Sequence, residues 1–300
     1  MLEKQNVQKG IFVFVAVAPP FINYLLFSLY PNAMAIFYSL LKWDGISPPE
    51  FIGLKNYFTM ISDKYVWRAL SHNLVLMVTV PPLTIIISLA LSYILAFRAF
   101  KGSSFYRVLY YMPNVLSSVV IAILWSFIYD GDIGLLNGVL KLTGIDIGNY
   151  YWLAHKETAL LCMVAPSVWT GVGLYVVIFT NAMRSIPKSL FESAILDGAG
   201  HITRFFKITV PLISGVVRIG IIFMLIGSLK GFETIMVLTN GGPGGATDVI
   251  GLYMFNIAFG LDQPVHLYGY ASSIGMFLFI ILVSLRLAID KFIVKEEIQF

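Results

Sequence analysis

Six apolar stretches, each about as long as a bilayer is thick, determine what this chain can fold into. About 20 residues of helix cross the hydrocarbon core of a membrane. Only 12% of the 300 residues are charged, against about 25% in soluble domains, so too few polar side chains exist to cover a water-facing surface. The sequence predicts an all-α polytopic membrane protein with six transmembrane helices. The predicted spans are about 11–41, 73–97, 105–128, 159–183, 208–236 and 269–289.

Short loops separate these spans, and no low-complexity tract or useful repeat divides the chain. Residues 1–300 are therefore interpreted as a single transmembrane domain. Near the start, small residues at 16–18 resemble a cleavage site, but the apolar run before them is very short. Pro19 and Pro20 follow at once, and the apolar run continues to Tyr30. We interpret this segment as an uncleaved first span.

The basic residues predict the orientation. With six spans both termini lie on one side of the membrane, and that side carries twelve Lys and Arg residues against six on the other. Arg218 and Lys230 remain inside the fifth span. Because basic residues accumulate on the cytoplasmic side, both termini are expected in the cytoplasm.

Several kinds of chemistry find no support in the sequence. Cys162 is the only cysteine, and the four histidines are scattered, so no metal site is predicted. No P-loop motif is present, so the chain is not expected to hydrolyse ATP itself. No acid–base or nucleophile cluster indicates an enzyme. No nucleic-acid partner is predicted; the surroundings are membrane lipid.

The segment 187–207, between the fourth and fifth spans, is more than a connector. Apolar residues punctuate a polar background, which predicts two short amphipathic helices broken around Gly198–Gly200. Periodicity alone favours a membrane-surface helix with a solvated charged face.

A spacing pattern in this segment adds a resemblance. The pattern consists of the triplet 192–194 (Glu-Ser-Ala), Gly198, Ile208 and the pair 210–211 (Val-Pro). The spacing of these residues resembles that of the EAA loop of permease subunits of binding-protein-dependent ABC importers. Ser and Val replace the family's Ala and Leu at two positions. The resemblance implies a cytoplasmic coupling helix that docks on an ATPase subunit, in which Gly198 allows close backbone approach. The residues it assigns to ATPase coupling are Glu192, Ser193, Ala194, Asp197 and Gly198.

The resemblance also implies an assembly. It predicts a non-catalytic subunit in a bacterial cytoplasmic membrane, paired with a second six-span permease. Two ATPase subunits and an extracytoplasmic solute-binding protein complete the expected complex. ATP and Mg²⁺ would be bound by the ATPase, and this chain is expected to carry no cofactor.

Two further segments, 53–57 (Gly-Leu-Lys-Asn-Tyr) and 239–243 (Thr-Asn-Gly-Gly-Pro), resemble the carbohydrate-uptake branch, in particular the maltose- and glycerol-phosphate-type first permease subunit. Matched to those relatives, substrate contacts fall in the fourth and fifth spans. Several sugar-binding positions of the family are Gly or Ser here, which suggests a wider cavity. Trp169 offers a stacking face, although a packing role is commoner. The residues assigned to the substrate pathway are Ser167, Trp169, Thr170, Gly171, Leu174, Gly227, Ser228 and Gly231.

Alternatives stay open. The solute of such an importer could instead be a polyol phosphate or an amino acid. A self-contained secondary transporter is a further alternative, but the sequence shows no convincing repeat and few buried acids. Lys230 and Glu233, three residues apart, are expected to form an interfacial ion pair. For 240–245, a flexible turn and a gating or binding-protein role are both left open.

Overall fold

The computed structural model describes residues 2–97, 102–260 and 266–293, which are mostly helical. Arg98, Lys101 and Lys295, which contribute to the predicted charge asymmetry, lie outside the described residues. Contacts divide the chain into a first unit, Met1–Asp63 with Met254–Ile280, and a second unit, Lys64–Tyr253 with Ile281–Phe300. Each unit is described by itself.

The elements follow one another with short connections. In chain order they are α1 (Leu2–Tyr24), a π-helical turn (Leu25–Leu29), α2 (Tyr30–Ser39), β1 (Leu41–Lys42), β2 (Glu50–Phe51), α3 (Lys55–Ser62), α4 (Lys64–Phe97), α5 (Ser103–Val115), α6 (Ser118–Ile128), α7 (Leu135–Leu142), α8 (Lys156–Cys162), α9 (Val164–Arg184), α10 (Lys188–Leu196), α11 (His201–Arg204), a second π-helical turn (Phe205–Thr209), α12 (Val210–Leu212), α13 (Ser214–Lys230), α14 (Glu233–Leu238), α15 (Ile250–Phe259) and α16 (Tyr268–Ile293).

Four helical stretches among the described residues are long and apolar enough to cross a membrane on their own: Phe14–Ser39, Lys64–Phe97, Lys156–Arg184 and Tyr268–Ile289. Two further pairs qualify only when each pair is taken as one bent span. Helices α5 and α6 meet at 99°, and the stretch His201–Leu212 meets α13 at 72°. The described chain thus contains four to six candidate spans, and the predicted third and fifth spans are not straight helices.

Local chemistry explains these breaks. Pro113 lies in the last turns of α5, and Ser117 then caps α6 by accepting a hydrogen bond from the Val120 amide, 3.4 Å away. Helix α13 ends at Lys230 because Gly231 adopts an extended conformation. The fifth span, expected to continue to about Met236, therefore stops at Lys230, and a separate short helix begins at Glu233.

In the first unit, α3 holds the end of the first apolar helix. The side-chain amide of buried Asn56 donates to the carbonyl oxygens of Ser39 and Leu41, both at 2.9 Å. The Tyr57 hydroxyl lies 2.8 Å from the Ser39 hydroxyl. The segment 53–57, selected in the sequence as a family signature, thus fixes where α2 stops.

In the second unit, α4 and α9 form the central pair, on which α5 and α13 pack. Ser88, buried between the central helices, donates to the Val172 carbonyl oxygen at 3.2 Å. A Cβ at Gly173 would overlap the Tyr110 carbonyl oxygen, so the backbones of α5 and α9 lie in direct contact. Small residues of this kind allow membrane helices to pack closely.

Candidate functional site

A cavity of about 280 Å³ lies in the second unit, walled by α4, α9, α13 and α14. Six of the eight residues assigned to the substrate pathway line it, although they come from two stretches far apart in the sequence. These six are Ser167, Thr170, Gly171, Gly227, Ser228 and Gly231. The fold therefore brings together positions that the sequence assigned separately.

The other two residues face elsewhere, because successive residues of a helix point in directions about 100° apart. Trp169 lines a different, apolar groove and contacts Trp125 edge-on, with ring centroids 6.1 Å apart. Leu174 packs against a core cluster that contains Phe179. Neither residue lines the cavity.

Hydroxyl groups give the cavity its polar character. Ser167, Thr170 and Ser228 each donate to the backbone carbonyl four residues earlier, at 2.7–3.0 Å. Because those bonds use the hydroxyl protons, the oxygen lone pairs remain as acceptors. Gly227 has no neighbour within 4 Å of an added Cβ, so the wall is open at this position. The cavity suits a small polar solute that carries hydroxyl donors.

Sequence reasoning missed other lining residues. Thr84, Phe232 and Glu233 also line the cavity. Lys230 and Glu233 do not form the expected ion pair, because the Lys230 ammonium and the Glu233 carboxylate are not within 4.0 Å of each other. The helix break at Gly231 separates the two side chains, and Glu233 instead accepts from the Phe232 amide at 3.2 Å. Gly231 was the sequence signal that could have indicated the break.

The loop 239–249, here called the GGP loop, is tied down from within. Asn240, Gly241, Gly244 and Gly245 all have positive φ. The Thr247 hydroxyl lies 2.7 Å from the Thr239 hydroxyl. The Thr239–Thr247 contact joins the two ends of the loop.

Helix α4 also holds the GGP loop. Arg68 donates to the Gly244 carbonyl oxygen at 3.3 Å, and a His72 ring nitrogen lies 2.7 Å from the Asp248 carbonyl oxygen. Buried Asn73 accepts from the Ile250 amide at 2.8 Å and donates to the Ser228 carbonyl oxygen at 2.9 Å. The loop is thereby linked to the cavity wall at Ser228.

The segment 187–207 forms α10 and α11 on either side of a tight turn. The Ala199 amide donates to the Ala194 carbonyl at 2.8 Å, and the Gly198 amide to the Ile195 carbonyl at 3.0 Å. Gly198 has φ +77°, so this is a Schellman motif with glycine at its left-handed position. Within this chain an added Cβ at Gly198 would meet nothing within 4 Å, so the feature of the turn that requires glycine here is its positive φ. The spacing between Ala194 and Gly198 in the sequence pattern is therefore the spacing of a helix C-terminus, at which α10 ends.

Aromatic contacts anchor this segment to the end of α4. Buried Phe191 packs on Phe97, with ring centroids 4.5 Å apart, and Phe205 packs edge-on against Tyr93 at 5.1 Å. The Tyr93 hydroxyl donates to the His201 carbonyl oxygen at 3.2 Å. One side of the segment is therefore fixed to the helical core.

The other side of the segment is uncovered. Leu196 and Ile202 are 89% and 77% exposed. Of the five residues assigned to coupling, Ala194 is half-buried and the rest are exposed: Glu192, Ser193, Asp197 and Gly198. An anchored segment with free apolar and charged groups is suited to contact a partner.

The comparison with protein families decides the kind of protein. The model of the binding-protein-dependent transport system inner membrane component matches residues 88–293, more than half of the chain. The chain belongs to this family. The permease is thus a multi-pass component of an inner membrane, as its apolar helices also indicate.

Curated relatives extend over most of the permease. The probable ABC transporter permease protein YurN of Bacillus subtilis (strain 168) is 36% identical, over 93% of this chain and 95% of the relative. The diacetylchitobiose uptake system permease protein NgcF of Streptomyces coelicolor is 33% identical, over 86% and 75%. The trehalose/maltose transport system permease protein MalF of Thermococcus litoralis is 30% identical, over 93% and 92%.

A solved structure has the same fold. A chain of the bacterial alginate ABC transporter, in complex with a periplasmic protein bound to an alginate pentasaccharide, superposes with a TM-score of 0.82. The match covers 96% of the permease and 95% of that chain, at 22% identity. At this identity the likeness establishes the fold alone.

Proposed function

We propose that the permease is a transmembrane subunit of an ATP-driven, binding-protein-dependent importer for a sugar or oligosaccharide, and that it forms half of the translocation pathway. The observation that carries this proposal is the cavity, in which six residues assigned by resemblance meet. Relatives named for diacetylchitobiose and for trehalose and maltose support a saccharide. A cavity of hydroxyl acceptors and small residues suits such a solute.

The charge of the cavity separates the candidate solutes. Glu233 is the only charged residue among the described lining residues. A carboxylate there accepts hydrogen bonds from sugar hydroxyls and repels a phosphate group. We therefore favour a neutral or amino-bearing saccharide over a polyol phosphate.

The proposed assembly follows the family. Both termini lie in the cytoplasm, a second six-span permease supplies the other half of the pathway, and a binding protein delivers the solute from outside. Two ATPase subunits bind ATP and Mg²⁺, and this chain is non-catalytic and holds no cofactor. The α10–α11 segment docks on an ATPase, with Glu192 and Asp197 as charged contacts and Gly198 as the turn between the helices.

The test is reconstitution with the neighbouring permease, ATPase and binding protein, followed by ATP hydrolysis and uptake across a saccharide panel. We expect one saccharide to stimulate hydrolysis only when its binding protein is present. If the complex assembles and no saccharide stimulates it, the solute class is wrong. If no ATPase co-purifies, a secondary transporter becomes the better interpretation.

Two glycines of α13 provide a matched pair for the cavity. Gly227 and Gly215 both have open space around them, but only Gly227 lines the cavity. Gly227→Leu should narrow the cavity and reduce uptake at least tenfold, with Gly215→Leu close to wild type. Leucine is the better helix former at both positions, so neither change should unfold α13. Equal uptake by the two variants would remove the cavity from the pathway.

A further inference from the structure

A second concavity in the same unit has no role in the proposed transport pathway. This groove, of about 740 Å³, runs between α4, α5 and α9 and is separate from the 280 Å³ cavity. Apolar side chains dominate its wall, among them Leu83 and Leu91 of α4, Leu109 of α5, and Ala165 and Val172 of α9. Water would find few hydrogen-bond partners there, so hydrocarbon is the expected filling.

Two arginines lie beside one end of the groove. Arg184, the last residue of α9, donates to the Leu95 carbonyl oxygen at 3.0 Å, one helical turn beyond the lining residue Leu91. Arg107 lies on α5, just before the lining residue Leu109. Helices α5 and α9 are in direct contact at Tyr110 and Gly173, which places Arg107 on the same side of the groove as α9, and its positive charge acts on Arg184. The apolar wall thus ends at a concentrated positive charge.

No carboxylate of the described residues neutralises this pair. Neither arginine forms an ion pair within 4.0 Å with a carboxylate of the described residues. In the sequence no acidic residue occurs between Asp63 and Asp130, a stretch that includes all of α4, α5 and α6. The Nε of Arg107 is buried and has no hydrogen-bond partner. Such a group is costly unless an acceptor reaches it.

We propose that the groove and the two arginines form a binding site for an anionic phospholipid, with an acyl chain in the groove and the phosphate between Arg107 and Arg184. The guanidinium fork matches phosphate geometry, and basic pockets between membrane helices at the cytoplasmic side are suited to anionic headgroups. In the orientation proposed above, the Leu95 end of α4 faces the cytoplasm, which places the headgroup in the inner leaflet. A free phosphate ion would leave the apolar groove unfilled.

The site lies next to the proposed coupling segment. Leu95 and Phe97 belong to the same last turn of α4, and Phe97 is the ring on which Phe191 of α10 packs. A lipid phosphate held by Arg184 would therefore brace the end of α4 that supports α10. Bound anionic lipid should then also increase coupled ATP hydrolysis.

The test is native mass spectrometry of the full-length permease with its co-purifying subunits, after exchange into phosphatidylglycerol or phosphatidylcholine. We expect retention of phosphatidylglycerol to exceed that of phosphatidylcholine about tenfold. Arg107→Gln and Arg184→Gln should each reduce that preference about fivefold, as expected for one basic residue at a membrane surface. Ala165→Phe should fill the groove and reduce retention of both lipids. Lys291→Gln, near the end of α16, is the charge-matched control and should change neither the retention of phosphatidylglycerol nor that of phosphatidylcholine.

Three outcomes would overturn the proposal. One is equal retention of the two lipids by the unaltered protein. Another is displacement of the bound species by soluble glycerol phosphate, which would indicate a phosphate site without an acyl chain. The third is a crosslink from the Ala165→Cys variant to a helix of the second permease, with no lipid retained, because the groove would then be a subunit interface. Loss of retention in both the arginine and the Ala165→Phe variants supports a single ligand spanning both parts.

Discussion

The GGP loop and the α10–α11 turn (197–200) both depend on glycines with positive φ, yet their surroundings differ. An added Cβ at Gly245 would collide with the Arg68 guanidinium, and one at Gly241 would lie 3.1 Å from the Asp248 carboxylate. At Gly198 the same atom would meet nothing within 4 Å. One turn is packed against the core of its unit, whereas the other presents its backbone to open space.

This difference shows that a glycine in a turn can answer two requirements. In the GGP loop glycine is required for two reasons: a larger side chain would not fit, and the backbone is left-handed. At Gly198 only the backbone conformation demands it, so the space around it is left for a partner. A substitution of a glycine in the GGP loop should therefore lower the stability of the protein. A substitution of Gly198 should mainly weaken coupling to the ATPase.

The largest effect is expected from Gly198→Asp, which should abolish ATPase-coupled uptake while leaving membrane insertion and thermal stability close to wild type. Aspartate tolerates the left-handed conformation better than most residues, so the loss comes from a carboxylate placed on the docking surface. Uptake and binding of the ATPase are the measurements. Gly198→Asn, similar in shape but neutral, is the control and should retain part of the activity. Normal uptake by well-expressed Gly198→Asp would contradict the docking role.

Asn73→Ala should give a large loss of stability. The buried amide bridges Ser228 and Ile250, and its removal leaves a buried N–H and a buried carbonyl without partners. We expect the free energy of unfolding to fall by about 2–3 kcal/mol. Asn114→Ala is the control, because that exposed side chain makes one long bond of 3.4 Å to Thr170. Equal unfolding midpoints for the two variants would mean that Asn73 does not hold the loop to α4.

Gly245→Ala and Gly198→Ala separate the two requirements directly. Both replace a glycine of positive φ, at +80° and +77°, which costs about 1–2 kcal/mol. Gly245→Ala must also displace Arg68 and its bond to Gly244, so it should lose about 1 kcal/mol more. Unfolding in detergent at one pH measures both. Combining Gly245→Ala with Arg68→Met should remove the excess; an unchanged excess would place its cause elsewhere.

The sequence allows some of this to be predicted because the signals are local. The turn after α10 contains Gly198 and Gly200, which interrupt a helical pattern, and helices do flank it. The family resemblance is confirmed by the match over residues 88–293. The bend at Ser117 was missed although Pro113 and Ser117 mark it, because the stretch 105–128 as a whole is apolar and long enough for one span. A hydropathy pattern reports burial in lipid, and it does not report the direction of the chain.

The site was harder to predict than the fold. Ser167 and Gly227 were assigned by resemblance, and only the packing of α9 against α13 brings them to one cavity. Thr84 and Glu233 reach the same wall from α4 and α14, and nothing in their local sequence relates them to it. Trp169 had the side chain that a sugar site would use, but helical geometry directs it into the apolar groove. Which face a helix presents is decided by tertiary contacts.

The smallest expected effect is a pH dependence of stability that comes from the GGP loop. Burial raises the pKa of Asp248 in the GGP loop from 3.8 to about 6, against the opposing positive charge of Arg68. Between these values the folded protein binds more protons than the unfolded chain, so the contribution of Asp248 to stability falls as the pH rises from about 4 to 6. Asp248→Asn cannot ionise and should gain on the order of 1 kcal/mol relative to wild type above pH 6, with no such gain near pH 4. Thermal unfolding of both proteins across this range is the measurement, and a difference that does not vary with pH would show that the carboxylate is not confined by the loop.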